Sequence, residues 1–183
     1  MLEVTPRCAG TLDAIAIAIN PHFVDKVPRD DLAAQAHFND TFVNRNLTAR
    51  GLLEEIRRGH AFAATHRKLR HRRADGNMSR YRCRENFLSA QHLALDFDDR
   101  GFADLLAEPF IRDHAAFLYT TASHTPDAPR ARAVFVLDRA IEDADAYAGH
   151  TAALAHLCWP FTPSTAGSWP SRTWTASRSP WMV

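Results

Sequence analysis

Between residues 91 and 157 the chain changes its apolar rhythm three times, and that succession restricts the fold more than any other feature. "QHLALDF" (91–97) is apolar enough for a strand, "GFADLLAEPF" reads as a short helix ended before Pro109, and "AAFLYTTAS" as a second strand. "ARAVFVLD" is a third strand, and "DADAYAGHTAALAHL" a helix with Tyr147, Leu154 and Leu157 turned inward. The order β-α-β-β-α is that of a split βαβ unit, the ferredoxin-like arrangement, with its last strand still to come.

Upstream the pattern is looser. "AIAIAI" (14–19) reads as a strand, far too short for a membrane span or a secretory core. "RDDLAAQAHF" (29–38) begins a helix after Pro28. Thr48 is placed to cap a helix carrying Leu52, Leu53 and Ile56 on one face and closing near Gly59, after Arg57 and Arg58; "HAFAAT" (60–65) follows as a strand. With 183 residues, 46% apolar and 23% charged, the chain is expected to form one domain with a proper core. Cytoplasmic residence and no membrane partner are the expectation. Cys8, Cys83 and Cys158 form no C-x-x-C pair, so neither a disulfide framework nor a zinc ribbon is indicated. His66, His71 and Cys83 lack a fourth ligand at a usual spacing and read as part of a solvated basic loop.

That loop is the second informative feature. From Arg67 to Arg84 there are eight Lys or Arg residues against the single acid Asp75, with Gly76-Asn77 in the middle, as in a hairpin tip. Such a run is either a solvated surface or a footprint for an anionic partner, nucleic acid or a nucleoside triphosphate. Arg67, Lys68, Arg70, Arg72, Arg73, Arg80 and Arg82 are the residues that would make the contacts.

The run leads into "LALDFDDRGF". Asp96 and Asp98 are one residue apart, so in an extended chain both carboxylates leave the same face, and their hard oxygens suit Mg²⁺ or Mn²⁺. The competing reading is a strand end followed by a helix cap, which is also the simpler explanation of Asp99. Company favours the metal. Arg130 and Arg132 again share a face at the start of a strand, where forked guanidinium groups can clamp phosphate oxygens. Ser123 and His124 lie in the connection before them; His124 is either a nucleotide contact or a turn residue before Pro126.

The stretch "FLSAQHLALDFDD … FLYTTASHTPDAPRARAVFVLDRAI" resembles the catalytic core of archaeo-eukaryotic-type primase-polymerases of phage and plasmid replication, and "NRNLTARGLLEEIRRGHAFAATH" is similar to what precedes that core. The resemblance spans residues 44–157. It implies an RRM/ferredoxin-like palm-type core (48–157) behind an N-terminal α/β extension (1–47), Mg²⁺ or Mn²⁺ on catalytic Asp96 and Asp98, and nucleotide contacts from Ser123, His124, Arg130 and Arg132. It further implies a DNA or RNA template, nucleoside triphosphates as substrates and a replicative helicase as partner. There are two departures. The family's S-x-H is here an adjacent Ser123-His124, and the third metal-binding acid expected after the helix ending near Leu157 is replaced by "CWPFTPSTAG". Asp138 is too far along its strand and is expected to cap the following turn.

Residues 158–183 hold all four tryptophans and no acid, which reads as an irregular tail or a change of reading frame near Leu157. Three functions follow as expectations: a primase-type nucleotidyltransferase in replication of a mobile element, C-terminally incomplete; a non-catalytic nucleic-acid-binding remnant; or a D-x-D phosphoesterase.

Overall fold

The computed structural model describes residues 14–158 apart from positions 25, 29 and 99. The expectations for Cys8, Asp99 and residues 159–183 therefore lie outside the described residues. The chain is mixed α+β, with antiparallel pairing in both of its sheets.

β1 (Ile15–Asn20) is the centre of a three-stranded sheet, flanked by β2 (Val43–Leu47) and β3 (Ala61–Ala63). Its alternation does what a period of two requires: Ile15, Ile17 and Ile19 are all at most 1% exposed and belong to one core. Helix α1 (Leu32–Asp40) bridges β1 and β2, and starts where the Asp31 carboxylate accepts the Ala34 N–H at 2.8 Å.

Helix α2 (Ala49–Arg57) is capped as expected, with the Thr48 hydroxyl accepting the Gly51 N–H at 3.1 Å. Leu52 and Ile56 are its buried contribution to the core. The helix closes at Gly59, whose φ of +82° is left-handed, and a Cβ there would meet the Val24 carbonyl oxygen at 3.0 Å. Replacing Thr48 by Ala should lower the unfolding free energy by about 1 kcal/mol. Urea midpoints measure this directly, and an unchanged midpoint would mean that water satisfies the helix end as well as the hydroxyl does.

"HAFAAT" is extended but is not one strand. A single residue, Ala64, separates β3 from β4 (Thr65–His66), and there the chain leaves the small sheet and enters a larger one of order β4-β5-β7-β6. This crossing joins the sheets into a curled half-barrel. β5 (Phe87–Phe97) and β6 (Phe117–Thr120) both pair antiparallel with β7 (Ala131–Ile141), so they run parallel to each other on either side of it.

Both faces of the larger sheet are covered. Helices α3 (Phe102–Ala107), α4 (Pro109–His114) and α5 (Ala144–Cys158) put Leu105, Ile111, Tyr147 and Leu154 against Leu93, Leu95, Phe97 and Phe135. On the other face Ala94, Val134 and Val136 meet the β1 isoleucines, Phe62 and α2. Double burial is why β7 reads as a continuous apolar run.

The helix before Pro109 ends as expected, at Ala107, and Pro109 itself opens α4, because at the first helical position its missing N–H is not needed. Two expectations are corrected. Leu157 is 61% exposed and Cys158, at 2%, takes its place, since positions 147, 154 and 158 share one side of the helix. Asp138 caps nothing: β7 continues to Ile141, and Asp138 sits exposed within the strand.

Candidate functional site

Cross-strand register creates the site. Asp96 lies on the β5 face that also carries His92 and Ala94, and it is paired directly with Arg132 of β7. Arg132 donates from Nε and Nη2 to the two carboxylate oxygens of Asp96, at 2.5 and 2.9 Å. Just past the end of β5, Asp98 faces Arg130, with Nη1 3.4 Å from Oδ1. The two aspartates and two arginines singled out by spacing are therefore brought together, as two ion pairs at one end of the sheet.

Arg132 is the inner member. Its guanidinium lies 5.8 Å from the centre of the Phe62 ring, and Tyr119 of β6 pairs with it from the other side. Burial opposes its charge, but its hydrogen bonds to Asp96 and Tyr119 and the Asp96 charge outweigh that and push its pKa up. The aspartates face outward, with side-chain exposures of 55% for Asp96 and 73% for Asp98. Behind them His92 is fully buried against Phe62, ring centres 5.3 Å apart. Burial first, and Arg132 second, hold its pKa down at about 4, and among the described residues its Nδ1 has no hydrogen-bond partner.

His124 is the hinge of the connection before β7. Its Nδ1 accepts the Arg130 N–H at 3.1 Å, which in the neutral ring puts the proton on Nε2 and leaves that N–H exposed to solvent. Ser123 is half-buried in the same turn.

The basic run is a built hairpin, with a bridge between Arg72 and Met78 and Gly76 at φ +82°. Its charges divide into two groups. Arg70 donates to Asp40 of α1 at 2.8 Å, Arg80 is 3.9 Å from the same carboxylate, and Arg84 pairs with Asp145. Arg82 lies over the rings of Phe38 and Phe42, and burial lowers its pKa to about 10. Arg67, Lys68, Arg72 and Arg73 are exposed and make no ion pair among the described residues. Two shallow, open hollows on this hairpin are lined by arginines together with Glu85 in one and Asp75 in the other.

The solvated-loop reading of His66, His71 and Cys83 is corrected. His66 and Cys83 are buried, at 3% and 5% exposure, and His71 is 2.8 Å from the Asn86 side chain. Among the described residues no group of three or more His, Cys, Asp or Glu gathers to hold a metal. Asp96 and Asp98 are thus two carboxylates each held by an arginine.

Phe62, Tyr119 and His92 were not foreseen as part of the site. Each is defined by strand pairing and sheet curvature, which spacing along the chain does not encode.

Comparison with family models, with curated proteins and with solved structures returns no match. No helix among the described residues is long and apolar enough to cross a membrane.

Proposed function

We propose that this chain is a metal-dependent nucleotidyltransferase domain of the primase-polymerase type, working on a nucleic-acid template in replication of a mobile element. The observation that carries the reading is the register Asp96↔Arg132, which sets two carboxylates beside two guanidinium groups at the rim of a sheet. The strand order supports it as well. β5 and β6 run parallel with β7 between them and helices crossing over, a split βαβ pattern, and β4 occupies the edge where the pattern's last strand belongs.

Bound at Asp96 and Asp98, Mg²⁺ or Mn²⁺ would supply neutralising charge at the phosphates and activate a hydroxyl. The chain's own residues do the rest. Arg130 and Arg132 offset triphosphate charge, His124 presents an Nε2–H donor beside them, and Arg67, Lys68, Arg72 and Arg73 follow the template backbone.

Labelled nucleotide incorporation on primed and unprimed single strands, with Mn²⁺ or Mg²⁺, tests the reading. Asp96→Ala is expected to reduce incorporation about a hundredfold or more. One observation favours a second reading: each carboxylate is already neutralised by arginine, and no acid follows Asp145 in the sequence. Salt-sensitive DNA binding with no incorporation under either metal would replace the first reading by a non-catalytic nucleic-acid-binding domain. Release of nucleotides from DNA without added triphosphate would point to a phosphoesterase.

A further inference from the structure

We infer that His66 is a proton-operated latch. Uncharged, its ring lets β4 and the basic hairpin close against the rest of the fold; on taking up a proton it releases them together. The inference concerns how the hairpin is held and does not depend on what the hairpin binds.

The position of the ring carries it. His66 lies two residues past the crossing at Ala64, ends β4 and leads directly into residues 67–84. It is 3% exposed, and among the described residues neither ring nitrogen has a hydrogen-bond partner. A neutral imidazole is tolerated in such a place as a filler. A charged one, with two N–H donors and nothing to receive them, is not.

The surroundings sharpen that difference. Phe42, fully buried, stands edge-on to the ring with centres 6.2 Å apart, and the Arg82 guanidinium lies 5.1 Å from the centre of the same phenylalanine. Lys68 is a second cation near the ring. The acid that faces it is Asp40 at the end of α1, which is already engaged: it accepts from Arg70 Nη2 at 2.8 Å and from the Tyr81 N–H at 2.9 Å, with Arg80 at 3.9 Å. β1 carries no titratable residue, β2 offers the Asn44 amide, and β5 presents Phe87 and Ser89 at the paired positions. Burial is the largest influence, and with the Arg82 and Lys68 charges it holds the His66 pKa below the ordinary histidine value. The Ala64 carbonyl and Asp40 pull the other way, the former without making a hydrogen bond to the ring.

Release disturbs little else. β4 is an edge strand with two paired positions, Thr65↔Ser89 and His66↔Phe87. Beyond these, the Asn44 side chain donates to the His66 carbonyl at 2.8 Å and accepts its N–H at 3.2 Å, and the Arg67 N–H reaches the Asn86 carbonyl at 2.7 Å. Once freed these groups meet water, while β5 and β7 keep their own ladder. His71, the other histidine of the segment, supplies no such latch. The Asn86 Nδ2 already donates to two carbonyls, so Oδ1 accepts from His71 Nε2, and that N–H is present whether the ring is charged or neutral.

Hydrogen exchange of the full chain at pH 7, 6 and 5, corrected for intrinsic rates, tests this. Protection of residues 65–84 should fall about tenfold from pH 7 to pH 5, because the open segment takes up a proton below about pH 6.5 and the closed one resists it. β7, an inner strand, should remain the better protected at each pH. In His66→Phe, which fills the place without a titratable group, protection of the same residues should change less than about twofold. His66→Gln, polar but uncharged, should give the same flat profile and serves where the larger ring disturbs packing; far-ultraviolet dichroism confirms folding. Wild-type protection that is independent of pH overturns the inference. So does a pH-dependent loss that survives in the folded variants, or one that β7 and the hairpin share to the same extent.

Discussion

Lowering the pH from 7 to 4 should cost the fold about 3 kcal/mol through His92 alone. The ring is fully buried on the β5 face behind Asp96, and burial, followed by the Arg132 charge, holds its pKa at about 4 against 6.5 for a free histidine. The folded state therefore keeps His92 neutral over a range in which the unfolded chain takes up a proton. Stability is complete above pH 6.5 and declines by about 1.4 kcal/mol per pH unit as the pH falls towards 4, below which both states are protonated and the loss levels off. His66 acts in the same direction. Burial lowers its pKa too, and among the described residues neither ring nitrogen has a hydrogen-bond partner. Urea unfolding of the wild type and of His92→Leu, at pH values from 7 to 4, isolates the first contribution, because all other groups cancel in the difference. The variant should show a shallower pH dependence. Equal slopes would mean that His92 is protonated in the folded state, for example by the sheet opening at that end.

This titration concerns a residue whose importance the sequence conceals. "QHLALDF" correctly reads as a strand with Asp96 at its end, yet nothing in it distinguishes His92 from a surface histidine. The difference is made by Phe62, thirty positions away, which the crossing at Ala64 carries over the β5 face. Elements governed by local chemistry were legible. Thr48 and Gly59 bracket α2, and the isoleucine alternation marks β1, because caps and periodicity act over a few residues. Elements governed by context were not. The Ala64 crossing, the second helix after Pro109 and the extension of β7 past Asp138 depend on what the neighbouring strand offers as a partner. The same division runs through the site. Spacing put Asp96 with Asp98 and Arg130 with Arg132 on shared faces, but the facing of one pair by the other is a property of register. In the basic run, composition counted eight positive charges, whereas only packing shows that Asp40, Asp145 and two phenylalanines engage half of them.

The hairpin's arms are joined near the tip by backbone bonds between Arg73 and Asn77 and between His71 and Ser79, and at the base by one amide. Asn86 is fully buried, and its Nδ2 donates to the Leu69 carbonyl at 2.7 Å and to the Tyr81 carbonyl at 2.8 Å, one on each arm, while its Oδ1 lies 2.8 Å from His71 Nε2. Asn86→Ala deprives the Leu69 and Tyr81 carbonyls and the half-buried His71 imidazole of a partner at once. At about 1 kcal/mol for each hydrogen bond lost, the expected destabilisation is about 2–3 kcal/mol, concentrated in residues 67–84. Asp40 also ties the two arms, through Arg70 on one and the Tyr81 N–H on the other, but it reaches none of the groups that Asn86 serves. The variant should therefore show rapid amide exchange and trypsin cleavage within the basic segment; under the proposed nucleic-acid reading, its affinity for single-stranded DNA should fall about tenfold as the arms must be ordered on binding. Arg72→Gln with Arg73→Gln is the contrasting case. Both residues are exposed and make no ion pair among the described residues, so stability should hold while the salt dependence of DNA binding becomes shallower by about one unit for each phosphate no longer neutralised. Weaker binding through lost order and weaker binding through lost charge are then separable by their salt slopes. If Asn86→Ala leaves trypsin sensitivity unchanged, the hairpin is held by its bonds to Asp40 instead, and the exposed arginines owe their arrangement to α1.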